Sequence, residues 1–378
     1  MPCPRPLVLA ATVAAALLGA AAAGAIAAGR RGQRRVGLAV VEAHERARRE
    51  ALDAPSSAEA RERVLVEVLL ERPGPPSRDP LTIITDLIEM RLTDADRAAV
   101  EAVLEGTPAD LWSQVGDSSR RRLTLNLAAH YGLTDVLERA GLAAAMPDES
   151  IHAMARGPVA AGGDTFVSDL IFDALDTAGL PVSEGATILD FGASSGRVLR
   201  MIAAARPDLR CLGCDPNTDA IRWASTNLPM AEFFHSPIAP PLDLPEHSID
   251  LVCAISIWSH FAEAPALAWL AEMHRVLAPG GTLLITTHGF DCLAVQLRNG
   301  AISPGTASAA AAAMITSGHH FVDVFGEDGD WGVKDAGWGN AYLTLDWLQS
   351  RVGAMFSTCL LRPGALDRVQ DVIVLQRR

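Results

Sequence analysis

The sequence predicts an α/β protein: a doubly wound, mostly parallel sheet of seven strands, preceded by a helical N-terminal region. Three observations carry this reading. After Pro181, short apolar runs at 186–192, 209–215, 231–236, 249–256 and 281–288 alternate with helical stretches at 195–206, 218–227 and 263–277. Such alternation implies a parallel sheet covered on both faces. Two further strand candidates, 356–361 and 371–376, close the chain and bring the total to seven. Before Pro181 the periodicity is helical instead.

The elements follow in order. Residues 7–29 form an uncharged run of 23 residues, long enough to span a bilayer but dominated by alanine. Arg30, Arg31, Arg34 and Arg35 follow it, and the positive-inside rule sets that side, with the body of the protein, in the cytoplasm. The expectation is a single N-terminal anchor over residues 1–35; a cleaved leader or an over-extended start remain alternatives, which would leave the protein cytoplasmic. The helical region spans 36–178. Residues 40–70 carry charge pairs at i,i+4 such as Glu45–Arg49. Residues 73–80 hold four prolines and read as a hinge. Between 81 and 146 several short helices are expected, with Thr93 plus Asp96 and Thr107–Pro108 as starts. A Gly-rich loop at 156–163 precedes an amphipathic helix at 164–178, with Phe166, Leu170, Ile171 and Leu175 on one side. The remaining domain, 179–378, divides into a core at 186–289 and a region at 290–378 holding the last strands. There 326–339, rich in Gly, Asp and Trp, reads as a long loop of the lid type.

Bulk composition limits the function. The 378 residues are 49% apolar and 20% charged, which suits a large core. The formal net charge of −13 argues against a phosphate-gripping surface, so nucleic acid is not expected as a partner. Cys211 and Cys214 form a lone C-x-x-C with no second pair, and all the cysteines past Cys3 read as core thiols.

In doubly wound sheets, ligands bind outside the carboxyl ends of the strands, so those positions are the ones to inspect. The first strand ends in Asp190-Phe-Gly192-Ala193-Ser194-Ser-Gly196, and a helix follows. Small residues let a ligand approach the backbone, and the helix start offers unpaired N–H groups. The second strand ends in Asp215-Pro216-Asn217, the third in Ser236, and the fourth in Ser256, followed by Ile-Trp-Ser-His260. Asp215 reads either as a ligand-binding acid or as a helix N-cap. His260 reads either as a general base or as a histidine capping the next helix. The run Arg275-Val-Leu-Ala-Pro-Gly-Gly281 is a helix end, a glycine turn and a new buried strand.

These pieces resemble the class I S-adenosylmethionine-dependent methyltransferases, whose first motif is an acid, any residue, then Gly-x-Gly-x-Gly. Asp190, Gly192 and Gly196 match it, and Ser194 replaces the middle glycine. The dinucleotide pattern G-x-G-x-x-G does not fit this spacing. The resemblance covers about 110 residues and implies a Rossmann-like sheet with S-adenosylmethionine as cofactor. It implies that Asp190, Gly192, Ala193, Ser194, Gly196, Asp215, Pro216, Ser236 and Ser256 bind it, with Asp215 on the ribose hydroxyls and Ser236 where relatives carry an adenine-contacting acid. It sets His260 beside the transferred methyl group, and gives the segment containing Trp331, Trp338, Tyr342 and Trp347 a part in the acceptor pocket. Of these, Trp338, between Gly337 and Gly339, reads as pocket or lid and Trp347 as core. No Asn/Asp-Pro-Pro-Tyr run or Pro-Cys pair follows the fourth strand, and no carboxylate cluster suggests a magnesium site. An oxygen of a small molecule, sugar or lipid-linked glycan remains as acceptor. Ser194 and the missing acid also admit a second reading, a non-catalytic binding or structural module of the same fold.

The anchor expectation is tested by fractionation. The full-length chain should sediment with membranes and a chain beginning at Val36 should not; equal solubility of the two would remove the anchor.

Overall fold

The computed structural model describes residues 57–72, 81–143, 145–148, 151, 164–330, 333–366 and 369–378. The expected anchor at 7–29, the hinge at 73–80, the loop at 156–163 and Trp331 lie outside them. Among the described residues, no helix is long and apolar enough to cross a membrane. The N-terminal region holds α1 (Ala58–Glu71), α2 (Ile83–Glu89), α3 (Asp94–Ala102), α4 (Thr107–Gln114), α5 (Asp117–His130), α6 (Thr134–Arg139) and α7 (Thr165–Ala178). The Thr93 start expected for α3 is a full capping box: Thr93 accepts from the Asp96 N–H, and Asp96 accepts from the Thr93 N–H.

The sheet follows as β1 (Thr187–Phe191), α8 (Arg197–Ala205), β2 (Arg210–Asp215), α9 (Thr218–Asn227), β3 (Glu232–His235), β4 (Ile249–Ala254), α10 (Glu263–Val276) and β5 (Leu277–Thr287). Beyond it come α11 (Phe290–Arg298), α12 (Pro304–Thr316), β6 (His319–Val322), β7 (Asn340–Leu343), α13 (Leu345–Val352), β8 (Phe356–Leu366) and β9 (Gln370–Arg377). Seven strands pair in the order β3-β2-β1-β4-β5-β9-β8. The first five are parallel, and β9 runs antiparallel to both β5 and β8. This is the mostly parallel, Rossmann-like sheet with a helical N-terminal region that the sequence predicts. Strands β6 and β7 form a separate antiparallel pair, which the sequence reading did not include. The alanine-rich 309–313 lies inside α12.

Both faces of the sheet are buried, and the strands show why. Leu189, Val252, Leu283 and Ile285 join one apolar cluster with Trp258, Trp269 and Met273. Their chain neighbours Ile188, Leu251, Cys253 and Leu284 join another with α7 and α8. Successive side chains of a strand point to opposite faces, so unbroken apolar runs feed both layers. Helix α7, assigned to the N-terminal region by the sequence, therefore packs directly on the sheet. The charged residues before the glycine turn are also structural. Glu272 accepts from the Leu242 N–H at 2.7 Å and pairs with Arg275, which donates to the Leu242 and Leu244 carbonyls. Gly280 then turns the chain at φ +76°.

The N-terminal helices attach through defined contacts. Helices α2, α3, α5 and α6 share a core with Met201, Ala204 and Ala205 of α8, while α1 packs on α11 and α12. Asp169 of α7 is fully buried and caps α2 from outside: its carboxylate takes the Ile84 N–H at 2.6 Å and the Thr85 hydroxyl at 3.0 Å. Those first-turn N–H groups have no partner within their own helix. Asp169→Ala leaves them buried and unsatisfied, and should cost about 2–3 kcal/mol in urea unfolding; a loss below about 0.5 kcal/mol would show that the cap is not holding α2.

Candidate active site

The strand order reverses between β1 and β4, and that switch point opens a crevice at the carboxyl ends. A cleft lies there, lined by Gly192, Asp215, Pro216, Ser236, Pro237 and Ile238 on the strand ends, and by Ile257, Phe261, Trp269, Val333 and Trp338 opposite. A second cavity, of about 320 Å³, sits at the amino ends of the strands beside Glu184, Asp250 and Gly280 and holds none of the expected site residues.

Asp215 is the centre of the site. Its Oδ2 accepts the Ser194 N–H at 2.9 Å, and its Oδ1 accepts the Asn217 N–H at 2.8 Å. Its own carbonyl accepts the Ser236 N–H at 3.1 Å. The ends of β1, β2 and β3 are thus tied to one residue. The N-cap of α9 is Asn217, whose side chain accepts from the Ala220 N–H, so the capping alternative for Asp215 does not apply.

Ser194 stands in the left-handed region at φ +48°. A side chain there costs roughly 1–2 kcal/mol. The hydrogen bond from its N–H to a carboxylate offsets much of this, so serine is accommodated where relatives carry glycine. The flanking glycines cannot be replaced so easily. A Cβ on Gly192, at φ +92°, would lie 2.3 Å from the Ile257 side chain; one on Gly196, at φ +75°, would lie 2.7 Å from Leu228 and 2.8 Å from Phe233. Packing thus requires these glycines, in addition to the ligand approach that the sequence suggests. Ala193 is buried in the same turn, where its N–H donates to the Cys214 carbonyl at 3.0 Å.

Asp190 is buried under the turn and is not among the residues lining the cleft. Burial, reinforced by the neighbouring Asp215 charge, pushes its carboxyl up from 3.8 to about 7, with Arg197 acting in the other direction. Burial also raises Asp215, against the two N–H groups that favour its charged form. Ser256 stands apart from the cleft as well. At φ +60° it stands in the turn after β4, not at the strand's end as the sequence predicts; its N–H donates to Thr286 Oγ1 at 2.7 Å, and its hydroxyl accepts from Gln370 Nε2 at 2.9 Å. That network, spread over this turn, β5 and β9, was not readable from local sequence.

His260 follows β4 in a turn. The N-cap of α10 is Ala262, so His260 does not cap that helix. Its Nδ1 instead meets the Gly339 carbonyl at 2.7 Å. Trp338 stacks on the imidazole, with centroids 4.7 Å apart and planes at 29°, and meets Phe261 edge-on at 5.3 Å. Trp338 is therefore part of the cover, together with Val333, whose role no sequence signal suggested. Trp347 is core, with its indole N–H on Glu263 at 2.9 Å. Beyond His260, the His288 ring lies 6.3 Å away, with Tyr342 next to it at 5.5 Å. The Tyr342 hydroxyl donates to Gln296 at 2.7 Å, and burial pushes it up to about 12. Among the described residues, no cluster of His, Cys, Asp and Glu is arranged to hold a metal ion. The five described cysteines are buried free thiols, as the sequence suggests.

The cleft sets one acid beside an apolar surface. An acid held by two backbone N–H groups borders an apolar slot made by Pro237, Ile238 and Ile257, with no acid at Ser236. Residues 188–281 match a family model described as a methyltransferase domain. A trans-aconitate 2-methyltransferase of Azoarcus sp. (strain BH72) is 28% identical over 108 residues, covering 29% of this chain and 41% of that protein. An uncharacterized 37.1 kDa protein in transposon TN4556 of Streptomyces fradiae is 34% identical over 131 residues, covering 34% and 36%. The chain thus spans well under half the length of these curated relatives. Among solved structures, a TehB-like SAM-dependent methyltransferase from Corynebacterium glutamicum is 17% identical, with 58% of this chain and 91% of that one covered and a TM-score of 0.37.

The raised Asp190 pKa has a thermodynamic signature. A carboxyl whose folded pKa exceeds its unfolded value binds its proton more tightly when folded, so stability falls as pH climbs from near 3.8 through about 7. In the protein without ligand, Asp190→Asn should flatten that decline in a series of denaturant melts. A decline of unchanged slope in the variant would show that Asp190 is not its source.

Proposed function

We propose that this chain, whose residues 188–281 form a class I S-adenosylmethionine-dependent methyltransferase domain, transfers a methyl group to an oxygen of a small molecule, sugar or lipid-linked glycan. The observation that carries the reading is Asp215, an acid held by two backbone N–H groups on one wall of the cleft; His260 does not line the cleft but stacks on Trp338, which lines the opposite wall. S-adenosylmethionine supplies a methyl group on a sulfonium centre, which departs as a neutral thioether.

The chain's own residues do the rest. Each Asp215 oxygen takes one backbone N–H and keeps lone-pair capacity for a ribose hydroxyl. Pro237, Ile238 and Ile257 give a flat base an apolar slot. Ser194, Gly192 and Gly196 shape the turn between β1 and α8. His260 accepts the proton that the acceptor hydroxyl loses as its oxygen forms the new bond to carbon. Trp338 and Val333 cover the cleft and limit water. The Azoarcus relative is named for a small molecule, which supports that class of acceptor. The positive-φ Ser194, whose N–H is held by Asp215, supports the catalytic reading, because the turn closes without the middle glycine.

The test is methyl transfer from labelled S-adenosylmethionine into a fractionated small-molecule and lipid extract. His260→Gln should lower the rate by about 10²–10⁴-fold while cofactor binding stays as in the wild type. Full activity in the variant would remove His260 as base, and the absence of any labelled product with the wild-type chain would contradict the enzymatic reading.

A further inference from the structure

Among the described residues, four tryptophans are buried: Trp258, Trp269, Trp338 and Trp347. Three of them place the indole N–H on an acceptor. Trp258 donates to the Ala266 carbonyl at 3.4 Å, Trp338 to Asp330 Oδ2 at 3.4 Å, and Trp347 to Glu263 Oε1 at 2.9 Å. Trp269 is the exception. The residue is 1% exposed, and its Nε1 has no hydrogen-bond partner.

Trp269 also lines the cleft, together with Asp215, Ser236, Pro237, Ile238 and Ile257. The Phe191 ring packs on its indole, with centroids 4.6 Å apart and planes at 51°, so the ring is held in place. A buried donor without an acceptor is costly, and the fold avoids that cost at the other three indoles. Phenylalanine would supply apolar contact at 269 without it. The donor at Trp269 therefore needs an acceptor from outside the protein, and the space that the residue borders is the cleft.

The chemistry of the donor selects the atom it meets. An indole N–H donates and cannot accept. The exocyclic amine of adenine is a donor too, so the two do not pair. The ring nitrogens of adenine are acceptors. An acid after the third strand would take the amine; Ser236 stands there instead. We propose that Trp269 binds the adenine of S-adenosylmethionine by donating its indole N–H to a ring nitrogen, and so supplies the polar contact with the base that no acid supplies in this chain. The proposal rests on the reading of the cleft as the adenosyl site. It makes Trp269 a specificity-determining residue, because the base must present an acceptor at one ring position.

The experiment is calorimetric titration of the full chain and of Trp269→Phe. The probes are S-adenosylhomocysteine, the thioether that methyl transfer leaves, and three analogues in which C–H replaces N1, N3 or N7 of the base. Trp269→Phe should bind the parent compound about 5- to 30-fold more weakly. In the wild type, one analogue should show a similar loss; in Trp269→Phe, that analogue and the parent should bind alike. Parent affinity unchanged in the variant, or the same loss for that analogue in both proteins, would overturn the proposal. If the variant does not fold, the wild-type chain labelled with ¹⁵N-tryptophan still decides. One indole N–H signal should move downfield with the parent compound and stay in place with one analogue; signals that respond alike to all four compounds would overturn the proposal. Binding that does not depend on Trp269 defeats this proposal alone. No binding of S-adenosylmethionine or of the thioether to the wild-type chain defeats the cofactor reading, and this proposal with it.

Discussion

The Asp215 carboxylate is the point on which the site depends. It closes the gap between β1 and β2 by taking an N–H from each side, one from a strained serine and one from the turn before α9. Without it, the turns after β1 and β2 would each lose the partner of one N–H, and the left-handed Ser194 the contact that compensates it. Burial raises its pKa, and these two donors act in the other direction. The cost of that arrangement falls on Asp190, whose proton is held by burial and by the nearby negative charge.

The rest of the molecule builds toward this corner in layers. The parallel strands deliver their carboxyl ends to one edge, and the reversal between β1 and β4 opens the crevice. Helix α10 brings Trp269 under Phe191, with centroids 4.6 Å apart, which sets the floor of the cleft. Residues 333–339 come back beside it, Val333 and Trp338 lining the cleft, and backbone hydrogen bonds join them to the segment around His260. The N-terminal helices pack on α8 and on α11 and α12.

How much of this the sequence disclosed depends on the range of the interaction. The strands, the positions of Asp215 and His260, and the glycine turn at 280 were legible because each is written in a few neighbouring residues. Trp338 was legible as a cover because glycines flank a large ring. The capping alternatives for Asp215 and His260 were local too, and they yielded to Asn217 and Ala262, which differ from them by only two positions. What escaped were contacts between distant segments. Ser256 lies in the turn two residues past the end of β4 rather than at its end, Thr286 and Gln370 occupy its polar groups, and no short window contains all three. Val333 and Ile238 reach the cleft by the paths of loops. The Gly339 carbonyl is a backbone group, which every residue possesses, so no side-chain pattern could have marked it.

The central claim is that Asp215 and its surroundings form a site for an adenosyl cofactor. Calorimetric titration of the chain with S-adenosylmethionine, and separately with NAD, tests it directly. The account predicts binding of S-adenosylmethionine but not NAD, with Asp215→Ala weakening it by about 2–3 kcal/mol, roughly 30- to 150-fold. Binding of NAD in preference, or affinity for S-adenosylmethionine unchanged by Asp215→Ala, would contradict it.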